Sequence, residues 1–253
     1  MTSHHTPAPP SPSTHSPLQQ EVRIPCDGGW LCGDLATPTG FAGLVLFVHG
    51  SGSDRHSARN RLVAARLQQE GMATLLFDLL TVQEQKLDFD TRQHRFDIAL
   101  LTKRLQDTTL WAASQPMLQH ALTGYFGAST GSAAAVIAAA RLGPRVAALV
   151  SRGGCVDLAG PVALAAVTAP TLLIVGGEDH GVVDINRKAF QRLRCEKQLT
   201  MVPDATHLFA EHGALEQVAD LSAAWFAARL GRNTSGQMPG QAALRANRLE
   251  YTA

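Results

Sequence analysis

Four short runs, Leu44 to Val48, Ala73 to Leu80, Val146 to Val150 and Thr171 to Val175, are apolar almost from end to end. A strand with water on one face alternates apolar with polar residues. A strand that is apolar throughout is covered on both faces, as in a parallel sheet held between two layers of helices. Two weaker runs, Leu122 to Phe126 and Gln198 to Val202, continue the rhythm. Ahead of them, Val22 to Ile24 and Trp30 to Leu35 flank Asp27-Gly28-Gly29, a hairpin signal. Helical stretches fill the intervals. Ser57 can cap a helix running to Gly71 with Leu62, Val63 and Leu67 on one side, and Ile98, Leu101 and Leu105 have helical spacing. The alanine-rich run Ser132 to Leu142 stops at Gly143-Pro144, and Val218, Leu221 and Trp225 mark a last helix. A hairpin followed by repeated strand–helix units predicts one α/β domain over residues 20–231, with a mostly parallel sheet wound on both faces.

The ends read differently. Residues 1–19 hold Pro7, Pro9, Pro10, Pro12 and Pro17 among Ser, Thr and His, and such a stretch buries too little apolar surface to offset its ordering entropy. It is expected to be disordered. Residues 232–253 are expected to form a flexible tail, with a short helix over Gln241 to Leu249.

Charge excludes whole classes of partner. With 22 Lys+Arg against 21 Asp+Glu the formal charge is +1, so no long-range field draws the chain to nucleic acid or to an anionic membrane. No run approaches the roughly 18 apolar residues of a membrane span, and the first residues lack the apolar stretch of a secretory signal. A cytoplasmic protein is the expectation. The cysteines Cys26, Cys32, Cys155 and Cys195 show no metal-ligand spacing and read as thiols of a reducing compartment. Neither a metal nor a cofactor is expected; the expected partner is a small molecule.

The segment Gly127-Ala128-Ser129-Thr130-Gly131 is G-x-S-x-G at the junction of a predicted strand and a predicted helix. There the pattern describes a sharp turn that lifts the serine oxygen above the sheet edge, with small residues where neighbouring backbone comes close. Three further features suit an activated serine. The strand Leu44 to Val48 runs into His49-Gly50-Ser51-Gly52-Ser53, whose Ser51 N–H, with that of Thr130, can face an oxyanion. This loop lacks the Gly-Lys-Ser/Thr ending of a phosphate-binding P-loop. The strand Thr171 to Val175 ends in Gly176-Gly177-Glu178-Asp179, where Asp179 can orient an imidazole; Glu178, Asp184 and Asp157 are the alternatives. The strand Gln198 to Val202 leads to His207, the candidate base, with His212 as competitor.

With these four motifs, the region from about Glu21 to Leu230 resembles the α/β-hydrolase superfamily, specifically its dienelactone-hydrolase-like branch. The resemblance implies an eight-stranded, mostly parallel sheet without a large lid, and a Ser-His-Asp hydrolase built from Ser129, His207 and Asp179. Dienelactone hydrolases proper use a cysteine nucleophile, so Ser129 argues against a dienelactone substrate.

Only Ser151 to Pro170 separates two of the strands, which leaves an open site suited to small esters, thioesters or lactones. Arg152, Arg55 and His56 stand at strand ends or beside the proposed oxyanion loop, where they either hold a substrate anion or organise the loops through ion pairs. Two rival readings share the fold. One is an acyltransferase using the same serine; the other is a non-catalytic ligand-binding protein, which would be expected to lack part of the triad.

Overall fold

The computed structural model describes residues 17–231. The hairpin strands β1 (Leu18–Cys26) and β2 (Gly29–Thr37) precede β3 (Gly43–Val48), β4 (Ala73–Phe77), β5 (Leu122–Ala128), β6 (Val146–Arg152), β7 (Thr171–Gly176) and β8 (Lys197–Val202). Together they form one eight-stranded sheet in the order β1-β2-β4-β3-β5-β6-β7-β8. β2 runs antiparallel to β1 and β4, and every pair from β4 across to β8 is parallel. This is the sheet that the apolar runs predict. β1 begins at Leu18, just inside the segment expected to be disordered; the remainder of that segment, the flexible tail and the helix over 241–249 lie outside the described residues.

Seven helices cover the sheet: α1 (Ala58–Gln69), α2 (Val82–Thr91), α3 (Ile98–Ser114), α4 (Thr130–Leu142), α5 (Gly160–Ala166), α6 (His180–Arg192) and α7 (Ala214–Leu230). α1 and α7 bury Val63, Leu67, Val218 and Phe226 against Val45, Phe47, Phe126 and Val150 on one face. On the other, α3 to α6 bury Leu105, Ala134, Leu164 and Ala189 against Leu46, Leu149 and Leu173. Each large side chain so buried contributes about 1.5–3 kcal/mol, which is why both faces of the central strands must be apolar. The alanines of α4 are small enough to bring that helix close to the sheet; Ala133, Ala134, Ala135, Ala138 and Ala139 are all buried.

α2 carries little of the apolar periodicity from which the other helices are read. α2 is set by its start: Thr81 accepts from the Glu84 N–H while the Glu84 carboxylate accepts from the Thr81 N–H, a reciprocal cap. Arg104 of α3, 3% exposed, then holds Glu84 at 2.7 Å and ties the two helices together. Between β6 and β7 stand only a short 3₁₀ turn (Val156–Ala159) and α5, so this connection inserts no lid. Among the described residues, no helix is long and apolar enough to cross a membrane.

Candidate active site

Ser129 follows β5 directly with φ 49° and ψ −122°, a conformation that ordinary side chains avoid. The surroundings over-determine it. The Ser129 N–H donates to the Arg152 carbonyl at 3.1 Å, and the Ser129 carbonyl accepts from the N–H groups of Ser132 and Cys155, each at 3.1 Å. Glycine is needed on both sides. A Cβ on Gly127 would lie 2.7 Å from Ser132 Cα, and one on Gly131 would collide with the carbonyl oxygens of Val48 and His49. Although Ser129 occupies the N-cap of α4, its side chain makes no capping bond. Its oxygen is free to face His207.

His207 Nε2 lies 3.2 Å from Ser129 Oγ, and His207 Nδ1 lies 2.6 Å from Asp179 Oδ2. Three strand ends thus deliver three side chains into one hydrogen-bonded line. Asp179 sits at the N-cap of α6 without capping it, so its carboxylate is available to the imidazole while the helix start favours its charge. Tight backbone turns aim His207: Asp204 and Phe209 adopt φ of 57° and 54°, and Ala205 accepts from the Glu178 N–H at 3.0 Å. The His207 side chain is 39% exposed and Asp179 18%, so the line opens to solvent at the imidazole. The competing candidates stand apart. Glu178 lies nearest His180 at 3.8 Å, Asp184 pairs with Arg187 at 3.5 Å, and Asp157 and His212 are exposed.

The glycine-rich loop after β3 packs directly on the elbow: a Cβ on Gly50 would be 3.0 Å from Ser129 Cβ. His49 holds this loop to the end of β4. Its Nδ1 contacts the Gly50 carbonyl at 3.0 Å, and its Nε2 accepts the Leu79 N–H at 3.2 Å. That pattern requires the neutral ring with its proton on Nδ1, and burial correspondingly pushes the His49 pKa down. The two candidate oxyanion donors differ. Thr130 is the first residue of α4, where an N–H has no partner within its helix. The Ser51 N–H, by contrast, donates to Thr130 Oγ1 at 2.8 Å, so in this structure it is engaged rather than free.

None of the three expected substrate-binding residues faces Ser129 as a free group. Arg55 is an organiser: its Nη1 pairs with buried Asp78 at 2.5 Å, its backbone N–H donates to the same carboxylate at 3.0 Å, and its Nε reaches Asp34 at 3.4 Å. His56 accepts from Arg61 at 2.7 Å and lines a separate groove with Asp34 and Glu21 that holds no catalytic candidate. Arg152 is 7% exposed and takes the α1/α7 side of the sheet, following Ala148 and Val150.

A different cation stands by the site. Beside the oxyanion loop opens a cavity of about 360 Å³, lined by His49, Ser51, Leu79, Leu80, Phe89 and Arg95. Arg95 is held in place by Asp88, whose Oδ2 takes its Nε at 2.6 Å and whose carbonyl takes its Nη2 at 2.9 Å. Nη1 is left pointing toward Gly52. Burial alone would raise the Asp88 carboxyl, but hydrogen bonds from Arg95 and His94 hold it below the usual carboxylate range. Cys155 is the other neighbour that motifs did not flag, with its Sγ 3.9 Å from Ser129 Oγ. Among the described residues, no cluster of His, Cys, Asp or Glu is arranged to hold a metal ion.

The family model of the dienelactone hydrolase family matches residues 28–229. A crystal structure of dienelactone hydrolase from Anabaena variabilis is 51% identical, with a TM-score of 0.83, covering 85% of this chain and 99% of that one. Est1E from Butyrivibrio proteoclasticus shares the fold at 16% identity, with a TM-score of 0.70 and coverage of 81% and 97%. Proteins of two Mycobacterium tuberculosis strains, provisionally named phosphoribosyl transferases, are 51% identical over 207 residues, 82% of this chain. The chain spans 46% of the length of those relatives.

Proposed function

The chain belongs to the dienelactone hydrolase family, and from that premise we propose that it is a serine hydrolase of small carboxylic esters acting through an acyl-enzyme on Ser129. The observation that carries this reading is the hydrogen-bonded line Asp179–His207–Ser129 on a strained, glycine-flanked elbow. His207 Nε2 takes the Ser129 proton as Oγ bonds to the ester carbonyl carbon, and Asp179 keeps the Nδ1 proton in place and stabilises the imidazolium. The carbonyl oxygen becomes an oxyanion beside the Thr130 N–H. The Ser51 N–H joins it when rotation of the Thr130 hydroxyl releases that donor. Collapse breaks the bond to the alkoxide, which leaves with the proton from His207. Water then repeats the sequence on the acyl-enzyme, delivering a carboxylic acid and restoring Ser129.

The apolar walls from Leu79, Leu80 and Phe89 favour a short acyl or alkyl group, and Arg95 favours one that ends in a carboxylate. The name carried by the Mycobacterium tuberculosis relatives belongs to proteins about twice as long, and the 207 residues they share with this chain overlap most of the region where it matches the dienelactone hydrolase family. Hydrolysis of p-nitrophenyl esters of graded chain length tests the reading. Wild type should turn over the short members, and Ser129→Ala should lose roughly 10⁶-fold in kcat, as when a nucleophile is removed from a comparable triad. Full activity in that variant would overturn the mechanism.

A further inference from the structure

The α1/α7 layer holds a pair of arginines that the catalytic line does not use. On β6, Ala148 and Val150 point into this layer, and Arg152, two residues further on, points the same way. On α1, Arg59 lies one helical turn before Val63, which packs in the same layer. Sheet and helix therefore aim two guanidinium groups at one place. Arg152 is more than nine-tenths buried, and its Nε and Nη1 have no hydrogen-bond partner; the Arg59 Nε is buried and unpartnered too. Neither arginine pairs with a carboxylate among the described residues, in contrast to Arg55, Arg95 and Arg104. Burial first, and then the charge of Arg59, push the Arg152 pKa down to about 10, so Arg152 remains a cation at neutral pH. A buried cation beside a second, partly buried one, both with idle donors, is costly alone, and an anion shared between them turns that cost into attraction. The first turn of α1, a helix of 12 residues, adds its positive end at the same corner.

We propose that Arg59 and Arg152 form a binding site for a small oxyanion of the phosphate class, apart from the cavity that Arg95 lines. Arg59 is only partly buried, which sets the side from which an anion approaches, and the idle Nε and Nη1 donors lie beneath that surface. The donors converge from two elements rather than one plane, which suits a tetrahedral acceptor. Inorganic phosphate is the probe: thermal unfolding of the full chain is followed against phosphate concentration at constant ionic strength set with sodium chloride, with phosphorus NMR line broadening as direct readout. The expected result is a melting temperature that rises with phosphate, together with broadening of the phosphate signal. Arg59→Gln, on the accessible side, should weaken the apparent affinity at least about tenfold, the loss of one charge-assisted contact. Arg152→Met should abolish the response, whereas Arg95→Met, in its own cavity, should leave it intact. Absence of any response in wild type would overturn the proposal. So would a response that Arg59→Gln leaves unchanged, or one that Arg95→Met removes.

Discussion

Asp179 reaches His207 through one short bond of 2.6 Å, and that bond fixes which imidazole nitrogen faces Ser129. Asp179→Asn keeps the shape but favours the wrong tautomer, and kcat should fall by up to ~10⁴. Asp157→Asn, on an exposed turn, should be nearly silent; steady-state kinetics of the two variants checks this, and a reversal would put the acid on the preceding strand's loop. Arg95 makes the second residue-scale prediction. Arg95→Met should lower kcat/KM for an ester bearing a carboxylate by roughly ten- to a hundredfold, the worth of a charge-assisted hydrogen bond, and spare a neutral ester of the same shape. Equal losses on both esters would mean that Arg95 only frames the loop through Asp88. The triad candidates were legible from sequence because each follows a strand end in the required order. Arg152 was not placed, since a strand apolar on both faces carries no alternation to say which face its last residue takes. Arg95 was hidden for another reason: the long connection between β4 and α3 sets its position, and no strand end announces it.

Among the elements, the glycine-rich loop after β3 depends on a neutral His49 bridging β3 and β4. Its folded pKa lies below its unfolded value, so the unfolded chain takes up a proton that the buried ring refuses. The stability it contributes is therefore present above the ordinary histidine value of 6.5 and is lost as pH falls below it. Urea midpoints should drop between pH 7.5 and 5.5 in wild type, and His49→Asn should flatten that slope; identical slopes in the two would refute the linkage. The strands read well from sequence because a covered parallel sheet demands unbroken apolar runs. α2 read poorly: its exposed Leu87 and Phe89 and its polar inner contacts give no apolar stripe, and the Thr81–Glu84 cap carries its only clear signal. α6, by contrast, carries an apolar stripe, with Val183, Ile185, Ala189 and Phe190 on its inner side.

On the scale of the whole molecule, one sheet edge gathers the ends of β3, β5, β7 and β8, and with them the oxyanion loop, Ser129, Asp179 and His207. The lidless connection between β6 and β7 leaves that edge open, which agrees with a small, water-exposed ester better than with a long-chain lipid. The opposite layer, with Arg59 and Arg152, shares the same edge but faces α1 and α7. Ser129 Oγ is the proposed nucleophile, and covalent labelling reads it at a single atom. The native protein is treated with a fluorophosphonate, digested and mapped by mass spectrometry. One equivalent of added mass is predicted, on the peptide that contains Ser129 and on that residue, and denaturing the protein before treatment should prevent the labelling. A label on Cys155, on another serine, or none at all in protein that hydrolyses esters would contradict the account.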